Sequence, residues 1–190
     1  VVIDKKKFYE AIKESLFKGK LLPSQVKGME SIFASCDTYN VKEPTRIAYV
    51  MATAAWETAR TMRPIKEFGL GKGRPYGKKI DVDGKPYDQP DHIFYGRGYV
   101  QLTWKSNYAK MGKLLGVDLV NNPDLALDET ISAKILVMGM VLGLFTGRKL
   151  SDYITKEKTD FINSRRIING TDRAELIAGY AEKFLAALTL

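Results

Sequence analysis

Two glutamates, Glu57 and Glu67, stand where the chain changes character. Glu57 lies in TAAWETART, at the C-terminal end of an apolar helical pattern. Its helical neighbours are Thr53, Ala54, Thr61 and the Trp56 ring. A carboxyl group beside apolar surface has its charged form disfavoured, which suits a proton donor. The competing reading is a surface glutamate ion-paired with Arg60 or Arg63. Glu67 follows in PIKEFGLG, past the helix, where a polar loop suits an ionised carboxylate that activates water. One carboxyl on a helix end and one on a facing loop are the minimum equipment for glycoside hydrolysis. Asp81, Asp83, Asp88 and Asp91 compete with Glu67 for the second role.

The densest chemical signal is FYGRGYVQLTWKSNY, Phe94 to Tyr108. Gly96 and Gly98 bracket Arg97 and allow a tight backbone course. Gln101, Thr103 and Asn107 offer neutral donors and acceptors suited to hydroxyl and acetamido groups. Tyr95, Tyr99, Trp104 and Tyr108 offer rings with an apolar face and a polar tip, as a sugar-binding groove requires. Plain core packing would account for the rings but makes Gln101 and Asn107 costly to bury. Base stacking on nucleic acid needs more cations than Arg97 and Lys105, so no nucleic-acid partner is expected.

Other motifs carry less. GLGKGRPYGKK lacks the spacing of a phosphate loop and has Lys79 in place of Ser or Thr. Asp81-Val82-Asp83-Gly84 resembles part of a calcium loop, but Pro86 stands where that loop needs glycine. His92 and Cys36 are single residues, far apart, giving neither a zinc pattern nor a nucleophile pair. No metal or cofactor is expected. One cysteine excludes an internal disulfide framework and fits a reducing compartment. The formal net charge of +8 favours anionic partners, such as an acidic wall polymer or an anionic membrane surface. The longest apolar run, Ile135 to Phe145, is too short to span a bilayer.

These groups need a frame. Phe8, Ile12 and Leu16 have helix spacing. Ser24 is expected to cap a second helix carrying Val26, Met29, Ile32 and Phe33, and Thr45 a third carrying Ile47, Val50, Met51, Ala54 and Ala55. Periodicity vanishes from Arg63 to His92, where Asp83-Gly84 reads as a hairpin turn. Helices resume at about Trp104 or Lys105 to Leu115 and at about Asp128 to Phe145, then near Ser151 and at about Glu157 to Arg166. A final helix capped by Asp172 turns Leu176, Ile177, Tyr180, Phe184 and Leu188 inward. The expectation is a mainly α (α+β) chain: one catalytic domain over 1–190, a helical bundle with a small β-hairpin lobe at about 63–93.

FYGRGYVQLTWKSNY resembles the signature of glycoside hydrolase family 19 chitinases and related phage endolysins. AAWETART is similar to the segment carrying that family's acid, and RIINGTDRAELIAGYAEKF to its C-terminal Asn-Gly motif and following helix. The resemblance implies a lysozyme-like fold and inverting cleavage of β-1,4 links between N-acetylated sugars. It implies Glu57 as acid, Glu67 as second carboxylate and Thr103 as holder of the attacking water. It also implies Tyr95, Gln101, Trp104 and Asn107 as groove residues, with Asn169 and Arg173 in the groove or in a network near the acid. Trp56 stands where the family often has His. Disulfides usual in plant chitinases are absent, which fits an endolysin made in a bacterial cytoplasm. The expected substrate is the peptidoglycan glycan strand, cut as an N-acetylmuramidase would cut it; chitin, or sugar binding without turnover, are the alternatives. The protein is expected to be a monomer, to reach the wall through a separate pore-forming partner and to act there during host lysis.

Overall fold

The computed structural model describes residues 3–81 and 83–190. Among them are seven α-helices: α1 (Lys5–Ser15), α2 (Pro23–Thr38), α3 (Pro44–Glu57), α4 (Lys105–Leu115), α5 (Glu129–Leu142), α6 (Leu150–Tyr153) and α7 (Ala174–Leu188). The sheet is β1 (Ile65–Lys66) paired antiparallel with β2 (Arg97–Gly98), Ile65 opposite Gly98 and Lys66 opposite Arg97.

Helix starts follow local chemistry, though not always at the expected residue. Asp4 caps α1 by accepting from the Lys7 amide (3.2 Å), and Asp128 caps α5 by accepting from Ile131 (2.9 Å). The caps of α2 and α3 are Leu22 and Glu43, not Ser24 and Thr45, because Pro23 and Pro44 occupy the first helical position. Gln25 reaches back to accept from the Leu22 amide (2.7 Å). Gly143, at a left-handed φ of 70°, stops α5 three residues after Met140, short of the expected Phe145.

Helix α3 runs through the centre of the molecule, and every residue from Ile47 to Ala55 is buried. A helix apolar all round must be covered all round. Its neighbour α7 supplies Ala174, Ala178 and Ala181, small side chains that let the two helices pack closely, while α5 packs on α2. The buried apolar residues form one cluster reaching from Phe8 to Leu188. This packing fixes the end of α3 and with it Glu57. Among the described residues no helix is long and apolar enough to cross a membrane.

Three elements differ from the sequence reading. The lobe's two-stranded sheet pairs β1 with the motif segment that follows, while the expected turn at Asp83-Gly84 is closed by an antiparallel Ile80–Pro86 bridge and by the Asp81 amide donating to the Lys85 carbonyl (2.8 Å). Val82 lies outside the described residues. The expected helix at 157–166 is an Ile154–Thr159 bridge followed by a 3-10 turn, Asn163–Ile167, because Asp160 caps the chain late by accepting from the Asn163 amide (3.0 Å). Helix α7 begins after Arg173 (φ 58°), not after an Asp172 cap, and Leu176 faces solvent.

Candidate active site

Glu57 is the last residue of α3. Its Oε1 accepts from the guanidinium of Arg165 at 2.7 Å, with side chains 16% and 4% exposed respectively. The Arg165 Nε also donates to the Asp172 carbonyl (3.1 Å), which fixes the fork. Neither Arg60 nor Arg63 reaches Glu57, and its surroundings are not purely apolar. Among the described residues Oε2 has no hydrogen bond. The hydroxyl of Tyr49, two turns back on α3, is buried near this pair and has no hydrogen-bond partner among the described residues.

Glu67 follows β1 and is clamped rather than mobile. Its Oε1 accepts from the Gly71 amide (2.8 Å), and its Oε2 from the Tyr76 hydroxyl (2.8 Å) and the Gly96 amide (2.9 Å). Burial first, and then the bond to Glu67, push the Tyr76 hydroxyl up to about 12, so it stays a donor at neutral pH. A Cβ on Gly96 would stand 2.8 Å from both the Glu67 Oε2 and the Gln101 Oε1; only glycine allows this approach. Glu67 and Gln101 therefore converge on one backbone position. Of the rival acids, Asp81 accepts from the Ser106 hydroxyl (2.7 Å) and ties the lobe to α4, Asp83 pairs with Lys85 in solvent, and Asp88 and Asp91 are exposed.

The motif segment divides into a buried anchor and an accessible edge. Arg97, 4% exposed, is the anchor: it donates to the Ile93 carbonyl (2.7 Å), the Tyr108 hydroxyl (3.0 Å) and Asp124 (2.8 Å). It also lies 3.8 Å over the Tyr95 ring. Phe94, Tyr99 and Tyr108 are core residues, and Tyr95 is buried under Arg97, bordering a shallow cleft with Asn121 to Leu125. These rings give little face to a sugar. Half-buried are Gln101, Thr103, Trp104 and Asn107. Gln101 donates to the Ile65 and Gly98 carbonyls (2.9 and 3.1 Å), locking β1 to the motif. Thr103 and Asn107 make no side-chain hydrogen bond among the described residues. Gln101 (φ 55°) and Trp104 (φ 71°, ψ 133°) hold left-handed backbone that non-glycine residues avoid. Strain of this kind concentrates where a side chain must be aimed.

Asn169 and Arg173 are exposed; the Asn169 side chain accepts from the next amide, Gly170 (2.8 Å). The guanidinium that meets Glu57 belongs to Arg165, eight residues before Arg173. Sequence reading missed Arg165 and also Tyr76, whose ring packs edge-on against Trp104 at 5.9 Å. A cation inside the partly apolar run FINSRRII, and an aromatic inside a glycine-rich loop, were the available signals.

The helical body ends in one carboxylate, Glu57, and the small lobe carries another, Glu67, beside a polar, strained edge; glycoside hydrolysis uses two such groups. Residues 33–141, more than half of the chain, match the family described as chitinase class I, glycoside hydrolase family 19, and the chain belongs to that family. It is 38% identical over 95 residues to the acidic 27 kDa endochitinase of Solanum lycopersicum, covering 45% of this chain and 38% of that protein. It is 43% identical over 67 residues to the inactive chitinase-like protein 1 of Hevea brasiliensis, covering 35% and 21%. The chain thus spans well under half the length of these curated relatives. Its fold is that of a bacterial family 19 chitinase (TM-score 0.72, 21% identity, 100% of this chain and 96% of that one) and of chitinase C from Streptomyces griseus HUT6037 (0.69, 21%, 98% and 76%). The lysozyme-like helical fold expected from the sequence is therefore present.

Proposed function

We propose that the chain hydrolyses β-1,4 links between N-acetylated amino sugars with inversion, Glu57 acting as acid and Glu67 as base. The carrying observation is the disposition of lone pairs. Glu57 offers Oε2 as the proton-bearing oxygen while Oε1 is held by Arg165. A carboxylate has about four acceptor positions; three on Glu67 are taken by Gly71, Tyr76 and Gly96, leaving about one for a water. The clamp fixes the carboxylate without conformational search at the moment of reaction. The Thr103 hydroxyl, which makes no hydrogen bond among the described residues, is the second contact for the water, and Gln101, Trp104 and Asn107 border the sugar.

The preferred polymer is peptidoglycan, cut on the glycan strand during bacterial lysis, with the chain acting as a phage endolysin. Lys72, Arg74, Lys78 and Lys79 on the lobe are exposed and have no carboxylate partner among the described residues, a surface matched to an anionic wall. The chitinase names of its relatives favour neutral chitin as the second reading. Mass spectrometry of digested peptidoglycan and of N-acetylglucosamine oligomers decides between them. A new reducing muramic acid end supports the muramidase reading, and cleavage of chitin oligomers alone overturns it. Proton NMR of the fresh product should show the α-anomer first; a β-anomer would refute inversion.

A further inference from the structure

Arg60 and Arg63, which do not pair with Glu57, border a cavity of about 350 Å³ where the loop after α3 meets the loop after α1 and the start of α2. Lys18 lines it too, and no carboxylate does. None of these three cations has an ion pair among the described residues. The hydroxyls of Ser24 and Thr61 add neutral donors at the wall. Converging unpaired cations repel one another, and a concave wall focuses their field on whatever enters.

The wall is also rigid. Ala59, Arg60 and Met62 hold left-handed backbone at φ 48°, 64° and 52°, a cost the surroundings must offset. They do so through fixed contacts. The Arg60 amide donates to the Ala55 carbonyl (2.6 Å), the Gln25 amide group donates to the Arg60 carbonyl (2.9 Å), and the Met62 amide donates to the Thr58 hydroxyl (3.1 Å). Gly28 completes the brace, since a Cβ there would stand 1.7 Å from the Met62 carbonyl oxygen. The Arg60 guanidinium spends one N–H on the Leu16 carbonyl (3.3 Å), which leaves the rest of its fork for a ligand.

We propose that this cavity, which neither Glu57 nor Glu67 lines, binds an oxyanion, a carboxylate or phosphate group. Arg forks suit both chemistries. A neutral chitin chain carries no such group. A bacterial wall carries both: carboxylates on the peptide stems of its glycan and phosphates on its anionic polymers. The inference does not depend on the glycosidase reading.

The test is a titration of the full chain with inorganic phosphate, followed by backbone amide NMR at constant ionic strength set with sodium chloride. Saturable shifts confined to Ser24, Gln25, Arg60 and Thr61 are expected. Shifts spread over the surface lysines, or reproduced by chloride alone, overturn the proposal. Arg63→Ala should weaken phosphate about tenfold, the loss of one charge-assisted contact. Lys18→Ala, which disturbs no hydrogen bond of the brace, should weaken it as well; unchanged affinity in both variants refutes the site. Muramyl dipeptide and glycerol phosphate, titrated separately, show which wall chemistry is preferred. Binding of neither, with phosphate also silent, overturns the assignment. Cleavage of a neutral N-acetylglucosamine hexamer should be unchanged in both variants. A loss there places the cavity within the glycan cleft and refutes its independence, whereas a wild-type chain that cleaves nothing strikes only the glycosidase reading.

Discussion

Replacing Arg165 by Met tests whether Glu57 is held by charge or by packing alone. The methionine stem keeps most of the apolar volume and removes the guanidinium. Arg165 is 4% exposed and Glu57 16%, so the substitution leaves a carboxylate with little water to replace its partner. Breaking such a pair from one side costs about 3–5 kcal/mol; the residual exposure of Glu57 argues for about 3 kcal/mol, near the bottom of that range. In a chain of this size each kcal/mol moves Tm by about 2–4 °C, so Arg165→Met should lower it by about 6–12 °C. Glu57→Gln keeps an oxygen for Arg165 but removes the charge. In that background Arg165→Met should cost only about 1 kcal/mol, the scale of a neutral hydrogen bond, giving a coupling of about 2 kcal/mol in the double-mutant cycle. Thermal and urea unfolding of the four proteins supply the numbers. Activity against peptidoglycan or chitin oligomers should be lost in Glu57→Gln, which stays folded. A Tm change under about 2 °C in Arg165→Met, or a coupling near zero, would refute the idea that the ion pair positions Glu57.

Gly96→Ala should drop kcat by tenfold or more while Tm moves far less, because its methyl displaces the Glu67 and Gln101 oxygens from 2.8 Å; equal loss of both, or of neither, contradicts the clamp. Cys36 is buried, and that burial, with Asp37 adding and Lys5 opposing, pushes its thiol up to about 12. It should ignore a thiol reagent at pH 8 in the native chain and react on unfolding; native labelling would contradict its placement. At Asp124 burial works against the charge, but hydrogen bonds from Arg97 and Lys66 outweigh it and hold the carboxyl below its usual range. A depressed carboxyl contributes stability above its unfolded value of about 3.9 and loses it as pH falls through the folded value. Asp124→Asn should therefore narrow the stability gap between pH 6 and pH 3; an unchanged gap would remove Asp124 from the acid response.

Much was legible in the sequence because it is local. Period-3.6 apolar spacing placed α1, α2, α3 and α7, an apolar run placed α5, and the Phe94–Tyr108 motif announced a family, whereas the caps expected at Ser24, Thr45 and Asp172 fell at Leu22, Glu43 and Arg173. Candidate carboxylates could be named from the same text, since acid and loop context are neighbours in the chain. Their environments could not. The partner of Glu57 lies 108 residues away, and the donor on Glu67 from Gly96 lies 29 away. Which of two nearby arginines, or a distant third, closes on a carboxylate depends on how α3 and the turn at Asn163–Ile167 pack, and no local pattern encodes that. Aromatic rings carry the same ambiguity: a tyrosine reads identically whether it faces a sugar or the core, so only the fold could send Tyr99 and Tyr108 inward and leave Trp104 with Tyr76 at the edge. The sequence determined the helices and the chemistry available to them; tertiary packing decided which groups meet, because desolvation and hydrogen-bond pairing are set by neighbours in space rather than along the chain.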